Sequence, residues 1–211
     1  MSVAAVIDRI RRHRAVAILR TSDETRVRPA IDAARRGGFC SIEITLNTPG
    51  ALDAIARLAE DPEVLVGAGT VLEVDDARRA VDHGARFLVS PVVDVQVIRV
   101  ASELGAVMIP GAFTPTELLA AHRAGAPLQK LFPAPPEGPD YVRACLGPLP
   151  FLRIMPTSGV TLENARAFLQ AGAFAVGFVR SLFDPADLEG SRFDRIEERA
   201  RAITEHLREA P

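Results

Sequence analysis

The chain has 211 residues, 48% of them hydrophobic, and its 25 basic and 27 acidic side chains leave a formal charge of -2. That length supports one ordinary core and excludes a large multidomain machine. A near-neutral balance supplies no cationic field for nonspecific nucleic-acid binding, and two cysteines, Cys40 and Cys145, make no disulfide framework. The first residues lack a signal peptide's long apolar core, so the expectation is a cytoplasmic protein with neither membrane nor nucleic acid as partner.

In chain order, a helical segment at 3–13 is expected to cover one end of the fold. A strand-like apolar run follows at 15–19, then a helical segment at 23–36 opened by Thr21-Ser22-Asp23-Glu24. The pattern repeats: strand-like runs at 40–46, 64–67, 86–90, 106–109, 127–131, 151–155 and 174–179 alternate with helical segments at 50–60, 73–82, 94–104, 115–123, 139–146 and 161–171. A last segment, 192–208, is long enough for an outer helix. Gly37/Gly38, Gly84, Gly105, Gly125 and Gly172 sit where a helix must end and turn toward a strand, a place for a residue that takes the left-handed cap without a β-carbon penalty. Asn47-Thr48-Pro49, Thr114-Pro115-Thr116-Glu117 and Thr161-Leu162-Glu163-Asn164 provide further helix starts. Pro133, Pro135, Pro136 and Pro139 stiffen one loop after the sixth strand and do not form an interdomain tether. Eight strand–helix units predict an α/β fold, a single-domain (β/α)8 TIM barrel over 1–211 with a short N-terminal helix and a C-terminal outer helix. An open doubly wound sheet shares this periodicity, which does not report closure.

All of the basic residues but one are arginine, so Lys130 is the sole lysine. Arginine cannot readily become the neutral amine that adds to a carbonyl, whereas a desolvated lysine can. In Leu128-Gln129-Lys130-Leu131-Phe132-Pro133 the lysine sits near a strand end among apolar groups, where a barrel has its active-site mouth, and alternation turns Lys130 and Phe132 to one side. A buried ion pair is the competing use of such a lysine. Glu43 interrupts the apolar run Ile42-Glu43-Ile44-Thr45-Leu46-Asn47 and is the best candidate to move protons in Schiff-base chemistry; pairing with an arginine is its structural alternative. Thr45 and Asn47 share its alternating face.

Gly67-Ala68-Gly69-Thr70 follows the third strand. Its small residues suit a close ligand approach or a plain tight turn, and Thr70 adds a hydroxyl. Ser90-Pro91 and Pro110-Gly111 extend that small-residue rim. The last two strand ends carry Pro156-Thr157-Ser158-Gly159-Val160 and Gly177-Phe178-Val179-Arg180-Ser181, where barrels commonly bind phosphate. Ser158, Gly159, Arg180 and Ser181 can serve there, or act as ordinary caps beside a solvated arginine. Arg20, after the first strand, can hold a carboxylate or pair with Glu43. The four histidines are dispersed and no acid or cysteine cluster has metal-ligand spacing, so no metal is expected and serine–histidine catalysis is disfavoured.

Taken as an ordered set, Ile42-Glu43-Ile44-Thr45-Leu46-Asn47-Thr48, Gly67-Ala68-Gly69-Thr70-Val71, Ser90-Pro91, Pro110-Gly111 and Lys130-Leu131-Phe132-Pro133-Ala134 closely resemble the bacterial 2-keto-3-deoxy-6-phosphogluconate aldolases and their 6-phosphogalactonate and 4-hydroxy-2-oxoglutarate relatives, over nearly the whole chain. The resemblance implies a class I aldolase, commonly a homotrimer, with no organic cofactor or metal, whose small-molecule partners are a keto acid, pyruvate and an aldehyde. It implies that Lys130 forms the Schiff base and Glu43 transfers protons. Thr70, Pro91 and Phe132 shape the pyruvate end, and the loops of Ser158, Gly159 and Arg180 the phosphate end. The favoured reaction is cleavage of 2-keto-3-deoxy-6-phosphogluconate to pyruvate and glyceraldehyde 3-phosphate. The galactonate epimer and 4-hydroxy-2-oxoglutarate (to pyruvate plus glyoxylate) are the alternatives, and a noncatalytic metabolite-binding barrel is the reading from another class. Three departures bear on substrate. Asn47 stands where the gluconate enzymes often have arginine and looks more like the galactonate branch, with Arg20 a replacement charge. Ser158 replaces the first glycine of a common Gly-Gly loop. Val179 and Arg180 replace a common glycine–serine pair.

Overall fold

Short apolar strands alternate with helices from one end of the chain to the other. The structure, a computed structural model, describes residues 1–208; the end of the expected 1–211 domain, 209–211, lies outside the described residues. Helix α1 (Val3–His13) leads into β1 (Ala15–Leu19), a 3-10 turn (Glu24–Arg26) running into α2 (Val27–Arg36), β2 (Ser41–Thr45), α3 (Ala51–Ala59), β3 (Leu65–Gly69), α4 (Val74–Asp82), β4 (Phe87–Val89) and α5 (Val95–Glu103). The second half adds β5 (Val107–Ile109), β6 (Gly111–Ala112), α6 (Pro115–Arg123), β7 (Gln129–Leu131), α7 (Pro139–Leu146), β8 (Ile154–Pro156), α8 (Leu162–Gln170), β9 (Val176–Phe178), α9 (Pro185–Glu189) and α10 (Phe193–Arg208).

All strand pairs are parallel. One run orders β5-β4-β3-β2-β1-β9 and a second orders β6-β7-β8. The two join into a closed barrel at both seams. Pro110 separates β5 from β6 because it has no N–H to continue the ladder, yet its carbonyl still accepts from Lys130 N at 2.9 Å. At the other seam Thr157 bridges Gly177, and Phe174 N donates to Ile154 O at 2.8 Å. The fifth barrel strand is therefore one wall in two pieces, a split that the expected run at 106–109 did not contain. Gly111 is required on the far side of the break, since a Cβ there would run into the backbone carbonyls of Ser90 and Pro91.

Alternation divides the core in two. Inward side chains Val16, Ile18, Leu65, Phe87, Val107, Leu128 and Met155 fill the barrel, and Val6, Ile7 and Ile10 of α1 pack onto them from below. Outward side chains such as Ile42, Ile44, Val66, Leu88 and Leu131 pack against the ring of helices. Helix starts follow local chemistry: Thr114 and Glu117 form a reciprocal capping box on α6, and Asn164 Oδ1 accepts from Thr161 N at 2.8 Å on α8. Among the described residues no helix is long and apolar enough to cross a membrane.

Candidate active site

Along β7 the outward side chains are Gln129 and Leu131. Leu131 joins the outer core, and the Gln129 amide donates to Ala126 O at 2.8 Å while its carbonyl accepts from Arg153 N at 3.0 Å. Period two then sends Leu128, Lys130 and Phe132 inward. Lys130 ends up 7% exposed, its Nζ 4.7 Å from the centre of the Phe132 ring. The same alternation on β2 places Ile42 and Ile44 outside and Glu43 inside, 1% exposed.

Glu43 fits there because of β3. Its inward positions are Leu65, Gly67 and Gly69; a Cβ on Gly67 would strike the Phe87 ring, and one on Gly69 would occupy the space of the Glu43 carboxylate. The two glycines of Gly67-Ala68-Gly69 thus make room for a core ring and a buried acid, a packing reason distinct from ligand approach. Glu43 Oε2 is buried without a hydrogen-bond partner among the described residues. Burial pushes the Glu43 carboxyl above its ordinary value, against the pull of Lys130 and Arg20. Burial also pushes Lys130 below its ordinary value; Glu43 opposes this and Arg20 adds to it. Desolvation therefore favours the uncharged forms of both groups, and a neutral amine is the form that attacks a carbonyl.

Both groups open into a cavity of about 700 Å³ at the C-terminal ends of the strands. Of the residues expected from sequence, Lys130, Glu43, Arg20, Phe132, Ser158, Gly159, Arg180 and Ser181 line it. Thr70 does not line it: it sits in the left-handed region at φ 57° and accepts from Arg20 Nη2, a lining side chain, at 3.2 Å. Ser158 is also left-handed, at φ 64°, so a serine here keeps a backbone shape that glycine adopts more readily, and Gly159 follows at φ 113°. Ser181 Oγ donates to Val160 O at 2.7 Å, which ties the two distal loops together.

Thr45, Asn47 and Pro91 do not line the cavity. The Thr45 hydroxyl is engaged by Leu19 O at 3.3 Å and Thr48 Oγ1 at 3.1 Å. β2 ends at Thr45, so alternation no longer governs Asn47, which is exposed. Pro91 instead backs the close approach of Gly111. Unanticipated wall residues include Thr157 after β8, Ser22 and Arg26 after β1, and Phe183, Leu188 and Glu189 around α9. The signal for the last group was Asp184-Pro185, a cap followed by proline, and Asp184 Oδ1 does accept from Ala186 N at 2.8 Å.

A sheltered amine, a buried carboxyl group and an open distal end lined by Ser158, Gly159, Arg180 and Ser181 can add to a ketone, shuttle protons and hold an anion. Comparison with known proteins agrees with that chemistry. Residues 6–199 match the family model described as KDPG and KHG aldolase. The chain is 39% identical over 173 residues to a probable 2-dehydro-3-deoxy-6-phosphogalactonate aldolase of Rhizobium meliloti (strain 1021), covering 81% of this chain and 82% of that one. It is 37% identical over 161 residues to a 2-dehydro-3-deoxy-phosphogluconate aldolase of Pseudomonas aeruginosa, covering 75% and 73%. Among solved structures, a native KDPGal structure superposes with a TM-score of 0.85 at 31% identity, covering 93% of this chain and 95% of that one. A KDPG aldolase from Legionella pneumophila, with pyruvate captured at low pH as a covalent carbinolamine, superposes with a TM-score of 0.85 at 25% identity, covering 96% and 98%.

Proposed function

This chain belongs to the KDPG and KHG aldolase family, a family of class I pyruvate aldolases, and from that premise we propose that it cleaves 2-keto-3-deoxy-6-phosphogluconate to pyruvate and glyceraldehyde 3-phosphate through Lys130. The observation that carries the reading is the shared cavity: its lining includes the buried Lys130 and Glu43 together with the half-buried Ser158 and Ser181 and the exposed Gly159 and Arg180.

Lys130 Nζ adds to the C2 ketone, and proton transfer through Glu43 lets the resulting hydroxyl leave as water, which gives an iminium. The Glu43 carboxylate then takes the C4 hydroxyl proton as the C3–C4 bond breaks, and the bonding pair moves into the iminium to form an enamine. The aldehyde departs. Glu43 returns its proton to C3, and water hydrolyses the iminium to release pyruvate and the free amine. Arg20, held by Thr70, binds the substrate carboxylate, while Arg180 and the N–H groups at 158–159 receive the phosphate.

The galactonate epimer is the second reading. It is supported by the Rhizobium meliloti relative. Both epimers yield the same products, so coupled cleavage assays on each decide between them. Pyruvate with borohydride followed by peptide mass analysis tests the shared chemistry: a mass increment on the Lys130 peptide is expected. Bound pyruvate without that increment would make the protein a noncatalytic binding barrel.

A further inference from the structure

The segment that connects β9 to α10 forms the cavity's outer lip, and it is fastened from behind. Phe183, Leu188 and Glu189 face the cavity, while Asp187 of α9 faces away from it and is only 4% exposed. Asp187 Oδ1 accepts from Arg192 Nε at 2.6 Å, and Oδ2 from Arg199 Nη1 at 2.6 Å, with Arg195 Nη1 3.6 Å away. The arginines extend the grip to the backbone, since Arg192 Nη2 donates to Ala186 O at 2.6 Å and Arg199 Nε to Leu182 O at 3.1 Å. One carboxylate thus ties a five-residue helix, too short to be stable by itself, to the sixteen-residue α10.

We propose that Asp187 is a positioning residue for the distal half of the cavity, holding the Leu182–Glu189 lip against α10 so that the phosphate-bearing part of the substrate meets a fixed wall. The proposal rests on the reading of the distal end as a phosphate site. Asp187 touches no substrate and acts through Leu188 and Glu189, its neighbours in sequence. Lys130 and Glu43 are carried by β7 and β2, which the lip does not hold, so loosening the lip leaves the imine-forming end in place. Ordered walls bind because their conformational cost is met before the ligand arrives; a freed lip meets it on binding.

The test reads the two ends separately in Asp187→Asn: titration with glycerol 3-phosphate for the distal end, and the rate of borohydride trapping with pyruvate for Lys130. Expected is binding of glycerol 3-phosphate weakened about tenfold, with trapping unchanged and affinity partly restored in Asp187→Glu. Should Asp187→Asn fail to fold, Arg192→Gln carries the test, because it removes the Arg192 contacts to Asp187 and to Ala186 O from a side chain already 40% exposed and keeps the Asp187–Arg199 pair. Unchanged affinity, or equal losses at both ends, overturns the proposal. So does wild-type protein that traps pyruvate without binding glycerol 3-phosphate. Wild-type protein that fails to trap pyruvate defeats the aldolase reading alone, and the glycerol 3-phosphate titration still decides the role of Asp187.

Discussion

The two ends of the cavity are built by opposite means. At the inner end, Lys130 and Glu43 project from strands into the barrel, their backbones paired on both sides and their side chains cut off from water. At the outer end, Ser158, Gly159, Arg180 and Ser181 belong to loops, Gly159 and Arg180 are exposed, and the wall depends on a short helix held by ion pairs. Burial at the inner end favours the uncharged forms of its groups, and the outer end exposes the Arg180 charge to solvent. In the proposed reading, reaction type is vested in the strands and substrate choice in the loops.

The largest effect that would break this division is at the nucleophile. Lys130→Met is expected to lower turnover at least about 10⁴-fold while the protein still binds a phosphorylated ligand at the outer end. Loss of both functions together would show the ends to be one unit. Next comes the carboxylate: Glu43→Gln should slow proton exchange at the pyruvate methyl by roughly 10² to 10⁴-fold, as measured by deuterium incorporation, with the fold retained. Gly69→Ala, which sets a methyl group where the Glu43 carboxylate lies, should reproduce much of that loss without altering an ionisable residue.

Arg180→Ala comes third. Its loss should fall on phosphorylated substrates, about tenfold or more in kcat/KM, with little change for 4-hydroxy-2-oxoglutarate; equal losses on both would remove phosphate recognition from this side chain. The smallest effect sharpens the electrostatics of the inner end. Lys130 is depressed by burial, supported by Glu43 and further depressed by Arg20. Removing the arginine relieves a like charge, so in Arg20→Ala the inflection of pyruvate trapping against pH should move upward, whereas in Glu43→Gln it should move downward. Shifts of the same sign in both variants would contradict the arrangement of charges.

Legibility in the sequence followed the same division. The eight strand positions and the helices between them could be read because alternation and glycine caps repeat, and Lys130 and Glu43 stood out as charges inside apolar runs. The reasoning failed where the period stopped. Alternation carried from Glu43 to Asn47 ignored that the strand ends at Thr45, and the hydroxyl of Thr45 itself was taken by Leu19 and Thr48. Pro110 marked a break within the fifth strand that an apolar run alone does not reveal. Helix α9 is too short for a periodic signal and announces itself only through Asp184-Pro185, while the arginines that grip Asp187 come from α10 and the residue just before it, so the fastening was not visible before the chain was folded.

The solitary lysine has one more consequence. Aldolases release aldehydes, which condense readily with amines, and protein surfaces commonly offer them many ammonium side chains. Here every outward-facing basic side chain is arginine or histidine, and the one ε-amino group points into the barrel. The exterior therefore offers a carbonyl product no lysine amine to condense with, and the one lysine amine of the chain lies in the cavity proposed to make and break such adducts.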